Sequence, residues 1–585
     1  MLSTGCTKKA KEARYSKEGE QFYKSGEYDK AKIDYLKVLR LNPQNAVAFA
    51  RLGAIWLDEG APLRAGAFLK RAEELAPKDN ENRLRLARVY LSVGQPAEAQ
   101  KEVLAVLQQE PTNGKALVLL TEMARTPADI GRADAALQKF PDKGNVSYHL
   151  ASANVALRKR DLAGAQQAIR DAVAADPKSP EAHQAMAVVD LLQKNPKAAG
   201  EEFKTAADLA PARSNIQITY AEYLAQTKGK DAVTDFLKGL TKKAPDFLPA
   251  WILRGRIAFS DKKFDQALSD LENVFSRDPE NIDARLLQTD IFLAKKQTDK
   301  AITELDKLDK AYPNLPPVKF RIAQADLQQN RAAEAGAALD QAIDANPNYT
   351  EAILLRAELN LRTGHVPPAL DALEDLRKKH PELKPAQLLL ADAYRASGRL
   401  DDAAAIFNEQ IKATPKTPDP YFFLGLVQQQ QKKNDEARKS YEKALELSPD
   451  NLLAISQLID LDLEAKDYAA ATGRVDEQIK KHPKAAAPYL LQGKVQMAQG
   501  HWKETEAAAR KALELDSNSG AAYDMLVRSY LATNKLSEAA RELESVLTKA
   551  PQNQSALMTL ATIREQQKDY AKARDAYEKL LVIDP

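Results

Sequence analysis

The side chain best suited to covalent chemistry is the thiol of Cys6, the single cysteine among 585 residues, in MLSTGCTKKAKEARY. One thiol can neither close an internal disulfide framework nor build a cysteine-based zinc site. The six histidines are dispersed. His149 and His183 fall in a recurring slot otherwise held by Tyr15, Phe49 or Trp251, which points to packing. His380 and His482 both sit in KKHP, where a cation suits the negative end of a helix. Carboxylates recur on polar faces, so no pair stands out as general acid and base. The phosphate-cradling, dinucleotide, nucleophile-elbow and zinc-protease motifs are all absent from the sequence. These residues predict a protein that is not an enzyme, with no catalytic residue, metal or cofactor.

Charge narrows the partners. Lys plus Arg number 85 and Asp plus Glu 82, leaving no net cationic field to hold nucleic acid or an anionic lipid surface. No run of eighteen apolar residues occurs, so no transmembrane helix is expected within the chain. Ala, Leu, Lys, Glu, Gln and Asp dominate, a mixture that favours helix.

A period organises those residues. Proline marks recur at Pro43, Pro77 and Pro111, then from Pro177 through Pro211, Pro245, Pro279, Pro313, Pro347, Pro381, Pro415, Pro449 and Pro483. Ser517 takes the next place before Pro551 and Pro585, and apart from the flanks of Pro141 the step is always 34 residues. Twelve residues before each mark stands a small residue, as at Ala31, Ala65, Ala267, Ala403 and Ala573, with Val233 and Thr505 departing. Eight before it comes a bulky one, such as Tyr35, Leu69, Phe203, Phe407 or Tyr441. Twenty-four before it Gly or Ala predominates, as at Gly53, Gly255 and Gly425.

Two apolar stripes of helical spacing fill each period, separated by SGEYDKA, EGAPLRA or KKNDEA. Glycine, Lys or Asn ends the first helix, and an acidic residue or proline opens the second. In HVPPAL, Pro367 and Pro368 fit a first helical turn, where proline forfeits no hydrogen bond. Small residues let two backbones approach and large ones fill the facing hole.

This code resembles the tetratricopeptide repeat family, whose unit is a 34-residue helix pair, and the resemblance runs from Glu12 to Pro585. It implies an all-α, right-handed α-solenoid of about 17 units in which each unit contacts its neighbours only. The organisation expected is a linker over residues 1–11, units 1–3 over 12–111, a degenerate unit over 112–145 and units 5–17 over 146–585. Pro127 and Asp129 predict a shortened first helix in the degenerate unit and a possible kink there. No polar cap follows the last unit, so the natural protein is expected to continue or the chain to have been trimmed.

In this family the first helix lines the concave surface, and partners contact its positions 2, 5, 9 and 12. Carried over by position, the partner groove consists of Leu150, Ile218, Ile252, Leu286, Phe320, Leu354, Leu388 and Phe422 at position 5. At position 9 it has Asn154, Glu222, Arg256, Glu358 and Asp392. An apolar row interleaved with polar residues suits a partner helix or extended peptide, although tight winding could bury part of it. The carboxylate clamp for chaperone tails is represented only by Asn154 with Arg158, and the asparagine ladder of sugar-transferase solenoids is missing.

Cys6 has one resemblance of its own. STGC after Leu2 is similar to the end of a bacterial lipoprotein signal, though Ser3 stands where an aliphatic residue is usual and the charged and apolar signal regions are missing. A late start or a trimmed precursor accounts for that. The expectation is a lipid anchor at Cys6 and an interaction scaffold on the periplasmic side of a bacterial envelope, in the outer membrane, serving secretion or exopolysaccharide export. Membrane contact is expected through the lipid only. A cytoplasmic scaffold and the non-catalytic arm of a larger enzyme are the alternatives.

Overall fold

The structure is a computed structural model that describes residues 8–583. Among them 34 helices follow one another, from α1 (Lys8–Lys24) to α34 (Tyr570–Ile583), and no strand occurs. Consecutive helices pair into hairpins, each pair one period long. The chain divides into two compact units, Met1–Asn346 and Pro347–Pro585, a division at a proline mark that the repeat pattern does not signal.

Local chemistry explains the hairpins. Asn45, Asp79, Asn113, Asn281 and Asn553, each two residues past a mark, accept a hydrogen bond from the third backbone N–H of a first helix, a cap that supports the helix start by about 1 kcal/mol. The turn between the two helices needs one residue in the left-handed region, and every unit but the fourth has one. Seven are glycines, such as Gly60 and Gly398, and nine are not, such as Arg160, Lys262, Lys432 and Asn534. Pro367 and Pro368 do lie in the first turn of α22 (Val366–Lys379).

Packing follows the bulky-and-small code. Ala31, Ala65, Ala267, Ala369 and Ala437 are wholly buried, as are Leu69 and Tyr441, and enclosing such a leucine contributes roughly 1.5–3 kcal/mol. A Cβ on Gly53 would lie 2.5 Å from the Leu69 side chain, and one on Gly425 2.5 Å from the Tyr441 ring, so glycine is what admits the large residue. The two departures are also buried: Val233 packs as apolar core, and the Thr505 hydroxyl donates to the His501 carbonyl at 3.0 Å.

The slot read as aromatic packing does more than pack. Trp251, Tyr421 and Tyr489 donate to the carbonyls of Pro245, Pro415 and Pro483 at 2.9, 3.2 and 3.1 Å. Arg83 and Arg285 make the same bond to Pro77 and Pro279, at 3.0 and 2.8 Å. These carbonyls have no further helical turn to accept from, so where the slot carries a donor it seals the junction between units. His183 belongs to this set: its Nε2 reaches the Pro177 carbonyl at 3.0 Å while Nδ1 meets Glu202 at 2.6 Å. Burial opposes the charge, but the Glu202 and Pro177 bonds prevail and raise the imidazole pKa.

The degenerate unit has a first helix of 10 residues, α7 (Gly114–Met123), against 13 in α9 (Val146–Arg158). It stops where Thr126 and Asp129 form a reciprocal capping box around Pro127 and open α8 (Pro127–Lys139).

One expectation is corrected. Contacts are not confined to neighbours, because within the first unit the turns of the first two repeats pack against the sixth to ninth. The Leu248 amide donates to the Glu59 carbonyl at 2.9 Å, and Trp56 and Ala61 share a core cluster with Leu248 and Ile252. The solenoid winds tightly enough to meet itself.

Candidate functional site

Curvature defines the available face. First helices touch the next first helix at most junctions, as α15 (Leu248–Ser260) does α17 (Ile282–Ala294), and α21 (Thr350–Arg362) does α23 (Lys384–Ala396). Among the described residues, successive second helices make no comparable contact. Each stack therefore bends toward its first helices, and their free face is the inner one.

The groove residues divide by burial. Ile252, Leu286 and Phe422 are buried, so these three are core residues and are withdrawn from the groove: winding has already spent their surface on adjacent helices. Leu150, Ile218, Phe320 and Leu354 are half-buried, and Leu354 packs on the core cluster around Leu373 and Leu390. Leu388 is 37% exposed, and Glu222, Arg256, Glu358 and Asp392 are exposed. Asn154 is half-buried and donates to Thr121 at 3.1 Å across the degenerate junction, while Arg158 donates to the Glu122 carbonyl at 3.2 Å. That fragment of a carboxylate clamp is occupied by its own chain. Arg256 pairs with Asp283 at 3.4 Å and Asp392 with Arg395 at 2.9 Å.

In the second unit, Leu388 borders a cleft of about 410 Å³ between α23, α24 (Leu400–Ala413) and α25 (Pro418–Gln430). Leu388, Ala413, Pro420 and Phe423 give it an apolar wall. Phe423 stacks on Phe407 at 5.5 Å, which fixes the ring from behind. The rim carries Glu382, Glu409 and Asp419 against Lys384. In the first unit, α11 (Pro180–Leu192) exposes Val188, Leu191 and Leu192 by 40, 41 and 56%. Val188 and Leu192 were not singled out from sequence. The signal available was an apolar residue at position 9, which is polar in most units.

Among the described residues no group of three His, Cys, Asp or Glu side chains could hold a metal, and no helix is long and apolar enough to cross a membrane. Cys6 lies outside the described residues.

A tandem array of helix hairpins with an open inner face defines a repeat solenoid built for protein–protein contact. Two sequence profiles of the tetratricopeptide repeat match it, one over residues 56–123, 258–321 and 428–495, the other over 17–80, 150–214, 320–382, 354–418, 388–451 and 525–585. The chain belongs to the tetratricopeptide repeat family. It is 28% identical over 172 residues to the human protein O-mannosyl-transferase TMTC3, which covers 28% of this chain and 19% of that protein. It is 31% identical over 114 residues to the bovine BBSome complex member BBS4, covering 20% of this chain and 21% of that protein. The chain thus spans about a fifth of the length of these relatives. Among solved structures, yeast Tom70 superposes with a TM-score of 0.42 at 18% identity, covering 73% of this chain and 97% of that one. Cut9–Hcn1 of the APC/C superposes with 0.40 at 16% identity, covering 88% and 96%.

Proposed function

We propose that this chain is a docking scaffold whose inner first-helix face receives a segment of a partner protein, with the cleft beside Leu388 as its main anchor point. The observation that carries this reading is an apolar wall left open among acidic rim residues. Water ordered against Leu388 and Phe423 is released when an apolar side chain covers them, and Glu382 and Asp419 favour a segment flanked by Lys or Arg, Glu409 being paired already with Arg377 at 2.6 Å. Peptides selected from a random phage-displayed library on the full-length protein should carry an apolar residue beside basic ones. Leu388→Glu should abolish their binding with helicity unchanged. Selection of acidic peptides, or binding indifferent to Leu388→Glu, refutes the assignment.

The placement proposed for this scaffold is a bacterial envelope, periplasmic side, tethered through lipid on Cys6. Its support is the STGC sequence at the only thiol. Two acyl signals on one cysteine suffice for stable anchoring. Metabolic labelling with a fatty acid, in a bacterial host and with the full upstream coding sequence, should mark the wild type and not Cys6→Ser. An unlabelled product favours a cytoplasmic scaffold. A second reading, the non-catalytic arm of a larger enzyme, is favoured by the likeness to an O-mannosyl-transferase, and a catalytic domain encoded in the same reading frame would establish it.

A further inference from the structure

The cleft beside Leu388 is open because one repeat departs from the packing code at two positions. The slot near the start of each first helix holds a ring at Tyr15, Phe49, Trp251, Tyr421, Tyr489 and Tyr523. In the repeat that ends at Pro415 the slot holds Gln387. Gln387 makes the bond proper to the slot, its amide donating to the Pro381 carbonyl while its side-chain oxygen accepts from Gln410 at 2.8 Å. It does not supply the bulk of a ring. The facing position is reduced too: α24 ends in Ala413, where Leu41, Leu75, Leu447 and Leu515 end other second helices. Gln387 and Ala413 both line the cleft of about 410 Å³, so two short side chains leave the space that a ring takes elsewhere.

Glutamine in the slot is not sufficient by itself. Gln217 holds the same place in an earlier repeat, where it is buried and donates to the Ala207 carbonyl at 2.8 Å, and there the second helix ends in Lys243 instead of alanine. A cation belongs to the frame as well. Lys37, six residues before Pro43, lies over the Tyr15 ring at 4.9 Å. Glu409 holds that place before Pro415 and pairs with Arg377 at 2.6 Å. This repeat therefore has neither the ring nor the cation that stand together in the first one.

Building on the docking function above, we propose that this cleft takes an aromatic side chain of the partner segment, next to a Lys or Arg, and that the partner so completes the slot this repeat leaves empty. Phe423 is the wall the incoming ring meets, held from behind by Phe407 at 5.5 Å, and ring pairs gain more than the area they bury. Glu382 and Asp419 on the rim receive the basic neighbour. Trp251, Tyr421 and Tyr489 must each donate to a proline carbonyl, but Gln387 already serves the Pro381 carbonyl here. The partner's ring has no donor to provide, so phenylalanine serves as well as tyrosine.

The test uses the full-length protein and the peptide selected on it from the phage-displayed library, titrated by fluorescence anisotropy. The apolar anchor of that peptide should be Phe, Tyr or Trp. Exchanging the anchor for leucine should weaken binding roughly 2- to 12-fold, and exchanging it for alanine about thirty-fold or more. Gln387→Trp, which places a ring in the slot from within as Trp251 does, should abolish binding with helicity unchanged. Ala413→Leu, which fills the cleft from the opposite wall, should do the same. An aliphatic anchor, or binding that survives both filling variants yet is lost in Leu388→Glu, overturns the aromatic assignment and leaves the docking surface standing. Failure to select any peptide, or binding indifferent to Leu388→Glu as well, overturns both.

Discussion

Replacing Gly425 by alanine should destabilise the second unit, whereas the same change at Gly473 should stabilise it. Both glycines lie inside helices, Gly425 in α25 and Gly473 in α28 (Tyr468–Lys481). Alanine is favoured over glycine in a helix by about 1 kcal/mol, and at Gly473, where nothing lies within 4 Å of the added Cβ, that gain is free to appear. At Gly425 the Cβ would stand 2.5, 2.7 and 3.0 Å from three atoms of the Tyr441 ring. That ring is wholly buried and its hydroxyl donates to Gln429 at 2.9 Å, so it cannot swing aside without losing a bond. Overpacking of this kind costs roughly 1–3 kcal/mol, and against the propensity gain of about 1 kcal/mol it leaves a net loss of up to about 2 kcal/mol. Hydrogen exchange read at α25, α26 (Asn434–Leu447) and α28 measures the local opening free energies. Faster exchange around α25–α26 in Gly425→Ala and slower exchange around α28 in Gly473→Ala is the expected pair. Equal signs would refute the claim that close approach, not chain freedom, selects glycine at this slot.

Lys432, at φ 62°, holds a left-handed turn position that glycine fills elsewhere; Lys432→Gly should stabilise α25–α26 by roughly 0.5–1 kcal/mol, seen as slower exchange in both helices. Tyr489→Phe removes the bond to the Pro483 carbonyl and should weaken that junction by about 0.5–1.5 kcal/mol, read by exchange at α29 (Ala486–Ala498). His183, with its pKa raised against the pull of burial by Glu202 and Pro177, binds a proton more tightly folded than unfolded. Its contribution is therefore full below pH 6.5 and is lost as pH rises through its folded value. Amide exchange at α11, corrected for intrinsic rates, should accelerate across that range in the wild type and not in His183→Gln.

The hairpin array was legible in the sequence because each unit satisfies itself locally: the marks, the alanine slot and the turn residues all act within 34 residues. Lys262 and Lys466 hold left-handed φ at the place where the sequence has Lys or Asn end the first helix in place of glycine, whereas Arg160 fills the same turn without that sign. What sequence could not supply was the pitch of winding. Pitch is the sum of small rotations at every junction, so it decides both which first-helix residues are enclosed and whether distant turns meet. Ile252 and Leu286 share a motif position with Leu388, yet the first two are buried and the third is open. Asp29 and Arg277 carry no sign in either neighbourhood that they will pair. The bond from Trp251 to Pro245 was missed for a simpler reason: the slot was read by ring size, while its use depends on the donor at the ring's edge.

The inner-face account is tested most directly by placing a photocrosslinking amino acid, one site at a time, along first and second helices of the full-length protein in its native cell. Adducts of discrete mass should form at Val188, Leu388 and Asp392 and fail at Lys412 and Lys439 of the second helices. Adducts confined to the second helices, or spread evenly over both, would contradict the claim that partners dock on the inner face.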